Sequence, residues 1–149
     1  MFKRYTFWLW VAVVLQLLTA LGHSLSFFIT PVATSDTERQ LLELMASYQM
    51  DMGGGIHRSM QQLLNALSAC FPLLYLLGAL NNIYLLRKRV EPSLIKGLVG
   101  IQLIVFGIGF GVMAVLTFLP PIILTGLVFI TLSISYCLIF VDTVSTARQ

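Results

Sequence analysis

His23 and His57 are the two imidazoles of this 149-residue chain, and their surroundings differ. His23 stands inside an apolar run from Thr6 to Thr30, where an ionisable group at membrane depth is a functional candidate by default. On a helix it shares one face with Ala12, Gln16, Thr19, Ser26 and Thr30, residues that follow one another at alternating spacings of four and three. With run midpoints taken as the bilayer centre, His23 lies ~7.5 Å outward at helical rise. That level matches Ser68 of the second apolar run, with Asn65 one turn further out. The chemistry within reach is hydrogen bonding, either across a helix interface or to a lipophilic small molecule. In the second case Gln16, Asn65, Ser68 and Tyr75 complete the candidate lining with His23. In the first, a neutral histidine serves only to join two helices.

His57 belongs to a glycine-rich stretch with Asp51 before it and Arg58 after it, and Glu43 lies further upstream. These four form a second candidate set, outside the membrane. The stretch offers no ligand-pair spacing, so no metal is expected there. A bis-histidine haem fails on depth, because His57 lies ~24 Å outward of its helix centre against ~7.5 Å for His23. No cofactor is therefore expected. No nucleophile–base pair, phosphate loop or zinc spacing appears, so no catalytic residue is assigned. Ser59 reads as the N-cap of the helix that follows it. Cys70 and Cys137 sit inside apolar runs without a C-x-x-C pattern and are expected to be buried and unpaired. Asp142, near the inner end of the last run, is placed to pair with Lys88, Arg89 or Lys96 rather than to relay protons at mid-membrane.

The elements that must position these residues follow from composition. The chain is 58% hydrophobic and 10% charged with mean hydropathy +0.90, outside the range of soluble domains. Runs over 6–30, 60–86, 97–119 and 122–144 approach or exceed the ~20 residues needed to cross ~30 Å of hydrocarbon. The first imitates a signal peptide with a cleavage-like Ala20-Leu21-Gly22, but apolar character resumes at Leu25 and reads as an uncleaved span. Pro120-Pro121 separates the last two runs and predicts a tight antiparallel hairpin. The fold class is thus an all-α membrane protein, one antiparallel four-helix bundle over 1–149.

Between the first two spans, 31–59 carries a further helix. Ser35-Asp36-Thr37-Glu38 fits a capping box, and Leu41, Leu44, Met45 and Tyr48 follow on one face. Gly53-Gly54-Gly55 is expected to end that helix, whose apolar face should rest on the bundle or the membrane surface. The spans also carry small or polar stripes. Gln61, Asn65, Ser68, Pro72, Tyr75, Ala79 and Asn82 mark the second span. Gly100, Gly107, Gly111 and Ala114 mark the third, and Gly126, Ser133 and Cys137 the fourth. Gly107 and Gly111 make a G-x-x-x-G pair through which the chain could meet itself or another membrane subunit.

The segments Gly22-His23-Ser24, Glu38-Arg39-Gln40-Leu41-Leu42-Glu43-Leu44-Met45, Gly53-Gly54 to His57-Arg58-Ser59-Met60, and Thr117-Phe118-Leu119-Pro120-Pro121 resemble a bacterial family of small, uncharacterised four-helix membrane proteins. The resemblance implies an inner-membrane bundle and assigns no functional residue. The leading expectation is a non-enzymatic accessory subunit or interaction scaffold. A carrier or binder of a lipophilic molecule is the alternative, and a membrane enzyme using the His57 region is third. The basic residues cluster at segment ends, so the net charge of +3 reports topology and lipid contact rather than nucleic-acid binding. Lys3, Arg4, Arg87, Lys88, Arg89, Lys96 and Arg148 fall on one side of a four-span topology, against Arg39 and Arg58 on the other. Both termini are therefore expected in the cytoplasm. Reporter fusions after residue 149 and within 31–55 should read inside and outside respectively; a C-terminal fusion reading outside would break the four-span count or its orientation.

Overall fold

The computed structural model describes residues 4–29, 31–88 and 90–146, with side chains as far as Val141. Lys3, Thr30, Arg89 and Arg148 lie outside the described residues, as does the Asp142 side chain. The described chain forms α1 (Tyr5–Ser26), α2 (Asp36–Ser47), β1 (Gln49–Asp51), β2 (His57–Ser59), α3 (Met60–Lys88), α4 (Pro92–Leu116) and α5 (Leu119–Thr146). Four helices, α1, α3, α4 and α5, are long and apolar enough to cross a membrane, the pattern of a multi-pass membrane protein. Even the shortest, α1 with 22 residues, reaches about 33 Å at helical rise.

Several span boundaries shift from the sequence expectation: α1 ends at Ser26 and α4 at Leu116, and both α4 and α5 start early. Pro92 starts α4 five residues early because a proline suits the first helical turn, where an amide would lack a partner anyway. For the same reason Pro120 and Pro121 fall inside the first turn of α5, and the connection is Thr117 and Phe118 instead.

The chain divides into two compact units, 20–74 on the one hand and 1–19 with 75–149 on the other, with α1 and α3 contributing to each. In the 20–74 unit, Ser35 Oγ accepts from the Glu38 amide at 3.2 Å, which starts α2 as expected. The reciprocal half differs. The Glu38 carboxylate accepts from the Thr34 amide and hydroxyl, both at 2.6 Å, one residue before the cap. Those donors, the Thr34 hydroxyl foremost, hold the Glu38 carboxyl below its usual range. α2 ends at Ser47, well before the glycines. The glycines instead turn a hairpin, with β1 and β2 antiparallel and Gln49, Met50 and Asp51 opposite Ser59, Arg58 and His57. Gly53, Gly54 and Gly55 take φ of 85°, 62° and 78°, the left-handed region that other residues adopt at a cost. The Met52 amide then donates to the Ile56 carbonyl at 2.8 Å.

In the other unit, the inward residues of α4 are Ile95, Val99, Gln102 and Phe106, and those of α5 include Thr125, Val128, Leu132, Ser135 and Ile139. Three of the stripe glycines sit at the contact between α4 and α5. A Cβ on Gly107 would lie 2.9 Å from the Phe129 ring, one on Gly126 3.1 Å from Phe110, and one on Gly100 3.2 Å from Tyr136. Each step forward along α4 meets an equal step back along α5, so these two helices run antiparallel. Phe110 and Phe129 also stack, with centroids 6.1 Å apart at 13°. Each ring thus enters the gap left by a glycine on the other helix. Gly111 and Ala114 lie exposed, and nothing stands within 4 Å of a Cβ on Gly111.

This difference separates two otherwise similar substitutions. Gly107→Ala should destabilise the chain by about 1–3 kcal/mol through overpacking against a ring already held by its stack. Gly111→Ala should be neutral, or stabilising by up to ~1 kcal/mol through helix propensity. Thermal unfolding of both variants in detergent checks the contrast, and equal losses would show that Phe129 does not occupy the Gly107 gap.

Candidate functional site

The largest buried polar cluster among the described residues of the 1–19 and 75–149 unit is a ring of three side-chain amides from three helices. Gln16 of α1 and Asn82 of α3 are 0% exposed, and Gln102 of α4 is 9% exposed. Asn82 Nδ2 donates to Gln16 Oε1 at 3.2 Å and to Gln102 Oε1 at 3.0 Å. Gln102 Nε2 donates back to Asn82 Oδ1 at 2.9 Å, and Gln16 Nε2 donates to Gln102 Oε1 at 3.2 Å. Every carbonyl oxygen of the trio accepts at least one hydrogen bond. Gly78 makes room for this, since a Cβ there would lie 2.6 Å from Gln16 Nε2. Amides in hydrocarbon must find partners within the protein, and these three find one another.

Buried hydroxyls nearby are satisfied differently. Thr19, Thr125 and Thr131 bond to carbonyls of their own helices four residues back. Ser135 is the exception, its hydroxyl donating to the Tyr5 carbonyl of α1 at 3.3 Å. Tyr75 is buried with its ring 5.1 Å from that of Phe106.

His23 belongs to the 20–74 unit, and its partner explains its position. The ring Nε2 lies 3.1 Å from the Ser68 backbone carbonyl. A carbonyl only accepts, so Nε2 carries the hydrogen and Nδ1 has none in the neutral ring. In an α-helix the Ser68 carbonyl would take the amide of residue 72, but residue 72 is Pro72, which has no N–H. His23 thus supplies from α1 the donor that Pro72 removes from α3. Phe27 and Phe71 surround the imidazole, each with its centroid 5.7 Å away.

The five residues read as a candidate lining are divided between the two units. Gln16 is tied into the amide ring and Tyr75 into packing, both in one unit. In the other, His23 meets the backbone of Ser68, while Asn65 is exposed and accepts from Gln61 at 3.2 Å. In the outer set, Asp51 and His57 are cross-strand neighbours, both exposed. Asp51 accepts from the Gly53 amide at 2.8 Å and Arg58 donates to the His57 carbonyl at 2.7 Å, so both serve the turn. Glu43 stands on α2, exposed. No three His, Cys, Asp or Glu side chains among the described residues come close enough to hold a metal.

No family model matches this chain, and neither does any curated protein or solved structure.

The expected burial of the cysteines is corrected by the geometry. Cys70 and Cys137 are free, but both are exposed rather than buried, because the seams are taken by larger and more polar side chains. The sequence reading also overlooked Gln102. Its signal was present: it is the one side-chain amide in the apolar run from Gly97 to Leu119, and such a residue turns inward in lipid.

The His23–Pro72 relation makes a coupled prediction. His23→Ala should destabilise the chain by about 1 kcal/mol, since the Ser68 carbonyl then lacks a donor. In a Pro72→Ala background the helix supplies its own amide, and the same change at His23 should cost markedly less. A double-mutant cycle by thermal or denaturant unfolding measures the difference; strict additivity would show that His23 does not serve that carbonyl.

Proposed function

We propose that this chain is a non-enzymatic multi-pass membrane protein that acts as an accessory subunit or interaction scaffold. In this reading it is an antiparallel four-helix bundle of a bacterial inner membrane, with both termini cytoplasmic and α2 on the outer side. The closed amide ring is the observation that supports it best. A ligand site needs polar groups left unpaired and convergent. Here the oxygens of Gln16, Asn82 and Gln102 are occupied by one another. His23 is likewise directed at a backbone carbonyl. The polar interior then serves cohesion, and recognition falls to the outer surface of the helices. Gly107 is filled from within by Phe129, so a partner approaching the small-residue stripe would meet Gly111 and Ala114.

Mass spectrometry of small molecules and lipids released from the gently purified protein tests this reading. No stoichiometric small molecule should accompany the wild type. Gln16→Leu should lower stability by about 1–2 kcal/mol without changing what co-purifies. A compound present at one per chain in the wild type and lost in Gln16→Leu would replace the scaffold with a carrier.

A further inference from the structure

We propose that α2 lies in the lipid interface of the membrane that α1 and α3 cross, with Leu41, Leu44 and Tyr48 inserted among the lipids. The inference concerns the 20–74 unit alone and does not rest on the scaffold reading.

The first observation is that the described residues leave most of this face uncovered, Met45 alone being half-buried. α2 has no buried residue, and Leu41, Leu44 and Tyr48, which share one side, are 55%, 60% and 63% exposed. The polar side is already self-satisfied, with Arg39 paired to Asp36 at 2.7 Å and Glu38 bound to Thr34.

The second observation is that α2 is held next to the membrane with little slack. β2 ends at Ser59 and α3 begins at Met60, with no linker between them. A capping box closes that junction: the Ser59 amide donates to Gln62 Oε1 at 3.0 Å and the Gln62 amide to Ser59 Oγ at 3.3 Å. Ser59 is 2% exposed there. β1 pairs with β2, α2 packs against β2, and Tyr48 alone separates α2 from β1. α2 is thus fastened through the hairpin to the mouth of a span.

The third observation is continuity. The connection leaving α1 displays Phe28, Ile29 and Val32, all strongly exposed, so the apolar surface of the span continues toward α2. Lipid is the one occupant this continuity supplies without a further molecule. Charge adds to the argument by defining the lipid. The 31–59 segment carries Asp36, Glu38, Glu43 and Asp51 against Arg39 and Arg58, so apolar insertion rather than attraction to acidic headgroups must hold it.

Spin labels test the placement in the full chain, reconstituted in phosphatidylcholine nanodiscs. Cys70 and Cys137, both exposed, are replaced by serine, and single cysteines are introduced as Leu41→Cys, Leu44→Cys or Glu43→Cys. Labels at 41 and 44 should collide more with dissolved oxygen than with a water-soluble nickel chelate, and the label at 43 should show the reverse. Adding acidic lipid should leave the pattern unchanged. Equal access to the chelate at 43 and 44 would place the face in water and overturn the proposal. Shielding from both reagents at 41 and 44 would also overturn it, in favour of a second copy if the labels broaden one another, or of another protein surface if they do not. Circular dichroism of each labelled protein verifies that the helices are retained, and position 41 repeats the test should position 44 perturb folding.

Discussion

Hydrocarbon offers no hydrogen-bond partner, and this constraint organises the interior of the chain. Three amides from α1, α3 and α4 could each have been stranded in lipid. Placed at one level, Gln16, Asn82 and Gln102 satisfy one another and join three helices in one arrangement. Apolar packing alone gives helices in lipid little reason to choose one neighbour or register over another. The hydroxyls of Thr19 and Thr131 do not provide that choice, because they turn back to their own helices. Specificity is therefore concentrated at the amide ring, and Gly78 matters because it lets that ring close.

Two further devices work alongside it. Between α4 and α5, glycine gaps receive aromatic rings reciprocally, Phe129 at Gly107 and Phe110 at Gly126, and a two-residue turn keeps the pair in register. Between α1 and α3, the bond from His23 to Ser68 repairs a gap that a proline opens in the backbone. One device rests on shape and the other on a single donor. Both leave the outward surfaces of the spans apolar, with residues such as Leu21, Ile104, Ile108 and Ile130 exposed.

The spans were legible because length and hydropathy determine them almost alone, and Ser59 was legible as a cap because its neighbour Gln62 completes a local motif. The level of His23 against Ser68 was also readable from helical rise, although the acceptor is the backbone carbonyl and not the hydroxyl. What escaped depends on contacts between distant segments. Gln102 stands alone in its run, and only the meeting of three helices shows what it is for. The hairpin after α2 was hidden for a different reason. Three consecutive glycines signal a stop and a reversal equally well, and strands of three residues are too short to show alternation. The small-residue stripes indicated where helices approach closely but not which side faces the core, so Cys137 was expected inside when it lies outside.

The pairing of His23 with Pro72 also makes two distant positions answerable to one another. While a proline occupies 72, a side chain at 23 without a donor leaves the Ser68 carbonyl bare. With an ordinary residue at 72 the carbonyl is bonded within α3, and position 23 is released from that duty.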